Sequence, residues 1–121
     1  MNEDSNILTV SSSFKIGEIL NKLSEKNLSL FSLPGHLDVT IGGCVANDVH
    51  GKDTYKNGNF GTNIVSIEII LPNKQVVECS REKNKELFLS TIGGLGLTGV
   101  ISKISINLKK ITNFYETTNF M

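Results

Sequence analysis

Short apolar runs alternate with polar punctuation along the chain, and the period of the apolar positions changes from run to run. Residues 6–10 (NILTV) are β-prone and predict a first strand. Ser11, Ser12 and Ser13 follow, residue types suited to a helix N-cap. Ile16, Ile19, Leu20 and Leu23 then fall at i, i+3, i+4 and i+7, the spacing of one helix face, with Asn27 as a stop signal. Residues 28–33 read as a second strand, closed by a Pro34-Gly35 turn. After the β-branched pair Thr40-Ile41, the small residues Gly42, Gly43, Cys44 and Ala46 predict a turn into a short helix that Gly51 stops. Residues 52–63 are polar, with Gly58 and Gly61, and predict a loop. Residues 64–71 and 75–79 read as a hairpin around Pro72-Asn73-Lys74. Ser80 can cap a further helix with Leu87, Phe88 and Ile92 as its apolar stripe. Beyond the segment 93–99 (GGLGLTG), Val100, Ser102, Ile104, Ile106 and Leu108 share one parity, while Ile101, Lys103, Ser105 and Asn107 share the other. That alternation predicts a strand with one strongly apolar face. The order β-α-β-α-β-β-α-β predicts an α+β fold, a mostly antiparallel sheet with helices packed on it.

Composition narrows the function classes. The 121 residues suit one compact domain, and 39 % apolar content allows a modest core. Lys+Arg and Asp+Glu are both 12, and they interleave, as in Lys22–Glu25–Lys26 and Arg81–Glu82–Lys83. A nucleic-acid binder held by phosphate contacts would instead show a clustered basic face. Cys44 and Cys79 stand far apart and outside any CxxC pair, which argues against a disulfide framework or a thiolate zinc site. No apolar run approaches the ~20 residues that span a bilayer. The polar, acidic start Met1-Asn2-Glu3-Asp4-Ser5 is unlike a secretory signal, so a cytoplasmic location is expected.

Many of the 11 glycines fall in two clusters, one at Gly42-Gly43 with Gly51 nearby and one at Gly93, Gly94, Gly96 and Gly99. Glycine lets backbone approach a ligand, and a glycine pair opening a helix can present free N–H groups to a pyrophosphate. GGLGLTG follows a helix pattern and precedes a strand, the reverse of a dinucleotide-fold fingerprint, and no Gly-Lys-Ser/Thr follows it. On the residues alone, both clusters are equally well tight turns. His50 sits in a glycine-flanked turn, either as a hydrogen-bonded structural side chain or beside a ligand. His36 follows Pro-Gly and is expected at the surface. Asp48 and Asp53 do not form a convincing acid–base pair, and Lys52 is either a phosphate partner or an exposed loop lysine. Cys44, Phe60 and Phe88 are expected in the core.

LPGHLDVTIGGCVANDVHGKD, then GNFGTNIVSIEIILPNKQVVECS, then ELFLSTIGGLGLTGVISKISI occur in this order. The ordered trio, over residues 6–110, resembles the vanillyl-alcohol-oxidase-type (PCMH-type) FAD-binding family, and within it the sugar and aldonolactone oxidases. The resemblance implies FAD as cofactor and the second of two α+β subdomains that sandwich it, over residues 1–110. Residues 111–121 would begin the link to a substrate domain, and the first subdomain would precede residue 1. It implies that Gly35 and the turn Thr40, Ile41, Gly42, Gly43 approach the pyrophosphate and ribose. His50, Gly51, Lys52 and Asp53 would lie near the isoalloxazine, and Ile101 would meet the adenosine end through backbone atoms. Among the sugar and aldonolactone oxidases the position of Asp53 is commonly an amide, and Leu95 stands where they carry a polar residue. The implied activity is oxidation of a sugar-like alcohol with hydride transfer to flavin, the complete protein being the enzyme and this chain alone inactive. Surfaces facing the missing subdomain would be apolar and could join two copies in a homodimer. The alternative is a non-enzymatic sensing or association module built on the same subdomain.

Overall fold

The computed structural model describes residues 6–31, 33–34, 36–47, 60–94 and 98–111. The elements in chain order are β1 (Ile7–Ser11), α1 (Ile16–Ser24), β2 (Leu28–Leu30), α2 (Ile41–Asn47), a 3-10 turn (Phe60–Asn63), β3 (Ile64–Ile70), β4 (Val76–Ser80), α3 (Lys85–Thr91) and β5 (Val100–Lys110). This is the predicted order and the predicted α+β class. The strands form one five-stranded sheet in the order β1-β5-β3-β4, with β2 joined to the far end of β5. Every pairing is antiparallel. The last strand in sequence is thus central in space, which is why it is the longest and carries Ile104, Ile106 and Leu108 into the core.

Local chemistry sets the element ends. Asn27, the predicted stop of α1, has φ 58°, a left-handed conformation that asparagine tolerates better than most residues. The start of α1 differs from expectation: Lys15 is the N-cap, and its backbone N–H donates to the Glu18 carboxylate at 3.0 Å. The preceding serines use their groups elsewhere, Ser11 and Ser13 pairing through their hydroxyls at 3.0 Å. The second strand ends at Leu30 rather than 33. Ser80 caps a turn and not the helix: its hydroxyl accepts the N–H groups of Glu82 and Lys83, and α3 begins only after Asn84.

The face of β5 also departs from strict alternation. Glu68 pairs with Lys103 while its neighbour Ile69 pairs with Ile101, so Ser102 is an extra residue bulged out of β5. The bulge reverses the parity of what precedes it. Val100, predicted on the apolar face, is 66 % exposed, and Ile101, predicted opposite, is buried at 8 %. The Ser102 hydroxyl donates to the Glu68 carboxylate at 2.8 Å and so holds the bulge on β3.

The core lies between the sheet and the three helices and is built mainly from isoleucines with Phe88 at its α3 end. Arg81 closes that end. Its guanidinium stacks 5.0 Å from the Phe88 ring centroid and donates to the carbonyls of Ile64 and Gly61, fixing the 3-10 turn to the start of β3. Among the described residues, no helix is long and apolar enough to cross a membrane.

Candidate flavin site

Helix α2 is placed by three backbone links from the segment before it. Ile16 N–H donates to Val39 O at 2.9 Å, Gly17 N–H to Leu37 O at 3.0 Å, and Ile41 N–H to Phe14 O at 2.9 Å. A surface ion pair, Lys15 Nζ to Asp38 at 2.9 Å, joins the same two stretches. Its hydrogen bond raises the lysine pKa and lowers that of the aspartate. His36 is at the surface, as expected, and its Nδ1 accepts the Asp38 N–H at 3.3 Å. Thr40 then caps α2: its hydroxyl accepts the Gly43 N–H and its carbonyl the Cys44 N–H, both at 3.1 Å.

The two glycines of this turn do different work. A Cβ on Gly42 would stand 2.9 Å from Ser12 Cβ and 3.0 Å from Ser12 O, so the helix reaches β1 only because the side chain is missing. A Cβ on Gly43 would meet nothing nearer than the Thr40 hydroxyl at 3.2 Å. This corrects the idea that the glycine pair offers free N–H groups to a phosphate. Gly42 N–H donates to Ser12 O at 3.0 Å, and with Ile41 and Gly43 also engaged, the first turn is fully spent inside the protein.

A groove of about 470 Å³ remains between α2 and the entry of β5. Thr40, Gly42, Gly43, Ala46 and Asn47 line it from α2 and its cap, Gly99, Val100 and Ile101 from β5, and Ser12 and Ser13 complete the lining. Gly99 has φ 153°, and a Cβ there would lie 2.6 Å from Ile70 O, so the β5 wall also depends on an absent side chain. None of these lining residues is ionisable. The described lining can therefore hold a ligand by close backbone approach, apolar contact and neutral hydrogen bonding, and these residues bring no charge against a diphosphate. That combination suits the sugar and base portions of a dinucleotide, which need contact area more than charge.

Of the residues expected to bind cofactor, Thr40, Gly42, Gly43 and Ile101 lie together on this groove. Ile41 does not: its side chain is wholly buried in the core. Gly35, His50, Gly51, Lys52 and Asp53 lie outside the described residues, as do Asp48 and the glycine at 96. Sequence reasoning missed Ser12, Ser13, Ala46 and Asn47, which carry no motif, and did not connect Gly99 to Gly42. Among the described residues, no group of three or more His, Cys, Asp or Glu could hold a metal.

Cys44 and Cys79 are both free and buried, and burial pushes each thiol up to about 11 from the ordinary value of 9.0. The folded protein therefore keeps these protons after the unfolded chain has lost them. Stability is expected to hold below about pH 9 and to fall as the pH rises toward 11. A thiol-reactive chromophore at pH 8 should label neither cysteine in the native protein and both in denaturant. Rapid native labelling would contradict this packing.

A family model described as an FAD binding domain matches residues 1–80. Cytokinin dehydrogenase 2 of Arabidopsis thaliana is 34 % identical over 91 residues, 75 % of this chain and 18 % of that protein. Decaprenylphosphoryl-beta-D-ribose oxidase of Mycolicibacterium smegmatis is 36 % identical over 84 residues, 69 % of this chain and 18 % of that protein. Cytokinin dehydrogenase 1 of Arabidopsis thaliana is 35 % identical over 91 residues, 75 % of this chain and 16 % of that protein. The chain spans less than a fifth of the length of these relatives, and they are not confined to the sugar-oxidase branch. The matched region contains α1, α2 and most of the groove, and the chain belongs to the FAD binding domain family, with FAD as its cofactor.

Proposed function

We propose that the α2–β5 groove is one wall of the flavin site in an oxidoreductase of which this chain is the second FAD subdomain. The observation that carries this reading is that Ile101, distant in sequence from Thr40, Gly42 and Gly43, lines a single groove with them, and that the described lining residues carry no charge. Bound FAD supplies the two-electron acceptor for the oxidation. The residues of this chain provide placement: Gly42 and Gly43 allow close approach, and Val100 and Ile101 supply apolar contact. The Thr40 hydroxyl accepts the Gly43 N–H and Asn47 Nδ2 donates to Gly43 O at 2.8 Å, two links that stiffen this wall. The donors for the diphosphate and the base that takes the substrate proton are assigned to segments outside the described residues.

For the substrate we infer a sugar-like alcohol. This is supported by the likeness of the segment TIGG…VHGKD to the sugar and aldonolactone oxidases and by the 36 % identity to a ribose oxidase. The cytokinin dehydrogenases among the relatives define the competing substrate class. Two measurements on the full-length protein test the reading. Gly43→Val should project into the groove without meeting backbone, so flavin absorbance of the purified protein should fall several-fold while the circular-dichroism spectrum is retained. Unchanged flavin content would count against the site. Turnover of a cytokinin but of no sugar alcohol by the wild-type protein would refute the substrate.

A further inference from the structure

Thr91, at the end of α3, is 1 % exposed and is the only polar residue buried this deeply among those described. Its hydroxyl lies 2.7 Å from Leu87 O and 2.8 Å from the Thr98 hydroxyl. A threonine has one hydroxyl proton. Thr91 gives it to the Leu87 carbonyl, so the Thr98 hydroxyl must be the donor to Thr91 Oγ1. The pair thus has a fixed direction and spans the glycine-rich stretch from one end to the other. Thr98 runs directly into Gly99, Val100 and Ile101, the β5 wall of the groove. The start of the same stretch is tied to the opposite wall, because Gly93 N–H donates to Val45 O of α2 at 3.0 Å. Two links, Thr98 to Thr91 and Gly93 to Val45, therefore relate the β5 wall to the α2 wall.

We propose that the Thr98–Thr91 hydroxyl pair is a positioning device for the cofactor, setting the distance of Gly99 and Ile101 from Gly42 and Gly43. This rests on the groove being a flavin site. Neither threonine needs to touch FAD. Val100 and Ile101 pair with β3 on one side only, because the pairing with β1 begins at Lys103, so loss of the pair loosens the groove wall without unpairing the sheet. Binding geometry depends on such supporting hydrogen bonds, because a wall displaced by a fraction of an ångström loses contact along its length.

The test is an FAD titration of the full-length apoprotein by flavin fluorescence, comparing wild type with Thr98→Val and Thr98→Ser. Valine keeps the shape and removes the donor, and serine restores the donor. The FAD Kd is expected to rise about tenfold in Thr98→Val and to return to within about twofold of wild type in Thr98→Ser. The apoprotein Tm should change by no more than about 3 °C in either. An unchanged Kd in Thr98→Val, or a loss that Thr98→Ser does not reverse, overturns the proposal. If Thr98→Val does not fold, Thr98→Ala is judged against Thr98→Ser by the same criterion. A wild-type protein without FAD affinity would overturn the reading of the groove as well, and is distinguished by failing before any variant is compared.

Discussion

Replacing Gly42 with valine is expected to destabilise the protein by about 3 kcal/mol or more, at the upper end of what overpacking costs. The first added carbon already falls 2.9 Å from Ser12 Cβ and 3.0 Å from Ser12 O. The Gly42 N–H is bonded to that same Ser12 oxygen, so neither partner can withdraw without breaking the bond. The two γ carbons of valine extend the clash. Relief requires α2 to lift from β1, which opens the groove and exposes Ile41, Cys44 and Val45, all now buried. Flavin should be lost together with the folded state. The neighbouring Gly43→Val separates the two effects, since its clearance is limited only by a threonine hydroxyl. Urea unfolding of both variants is the check. Equal stability of the Gly42 and Gly43 variants would show that the close approach of α2 to β1 is not what the first glycine is for.

Truncating Phe88 to alanine is expected to cost about 3–5 kcal/mol, the range for removing a buried aromatic side chain. Phe88 is fully buried and is the largest side chain so placed among the described residues. It is also the ring over which Arg81 lies, and Arg81 in turn holds the carbonyls of Gly61 and Ile64. The variant therefore leaves a cavity and also frees a guanidinium that fixes the 3-10 turn before β3. Small domains have about 5–15 kcal/mol of total stability, so the loss should move the denaturation midpoint far to the left. A loss below about 1 kcal/mol would mean that α3 is not docked on the sheet by this residue.

Fold and site were legible in the sequence to different depths. The stripe Ile16, Ile19, Leu20, Leu23 and the hairpin around Pro72-Asn73 were plain, because local spacing alone determines which face is apolar. The bulge at Ser102 was not, because it exists only relative to β3, and it turned Val100 outward and Ile101 inward against strict alternation. The same limit applies to the site. Gly42-Gly43 stood out as a pair, but whether their N–H groups were free depended on where Phe14 and Ser12 lie in space. Ser12 and Ser13 looked like helix caps, since nothing local distinguishes a cap from a groove wall. Gly99 stood out as one of a cluster, yet its partner across the groove is about fifty-six residues earlier in the chain. Contacts of that range leave no local signal, and a single sequence offers no covariation to find them.

The most direct test of the flavin site is the crystal structure of the full-length protein with FAD bound. The dinucleotide is expected in van der Waals contact with Gly43 on one side and with Ile101 on the other, its length running along the α2–β5 groove. FAD bound elsewhere, with this groove filled by solvent or by protein, would contradict it.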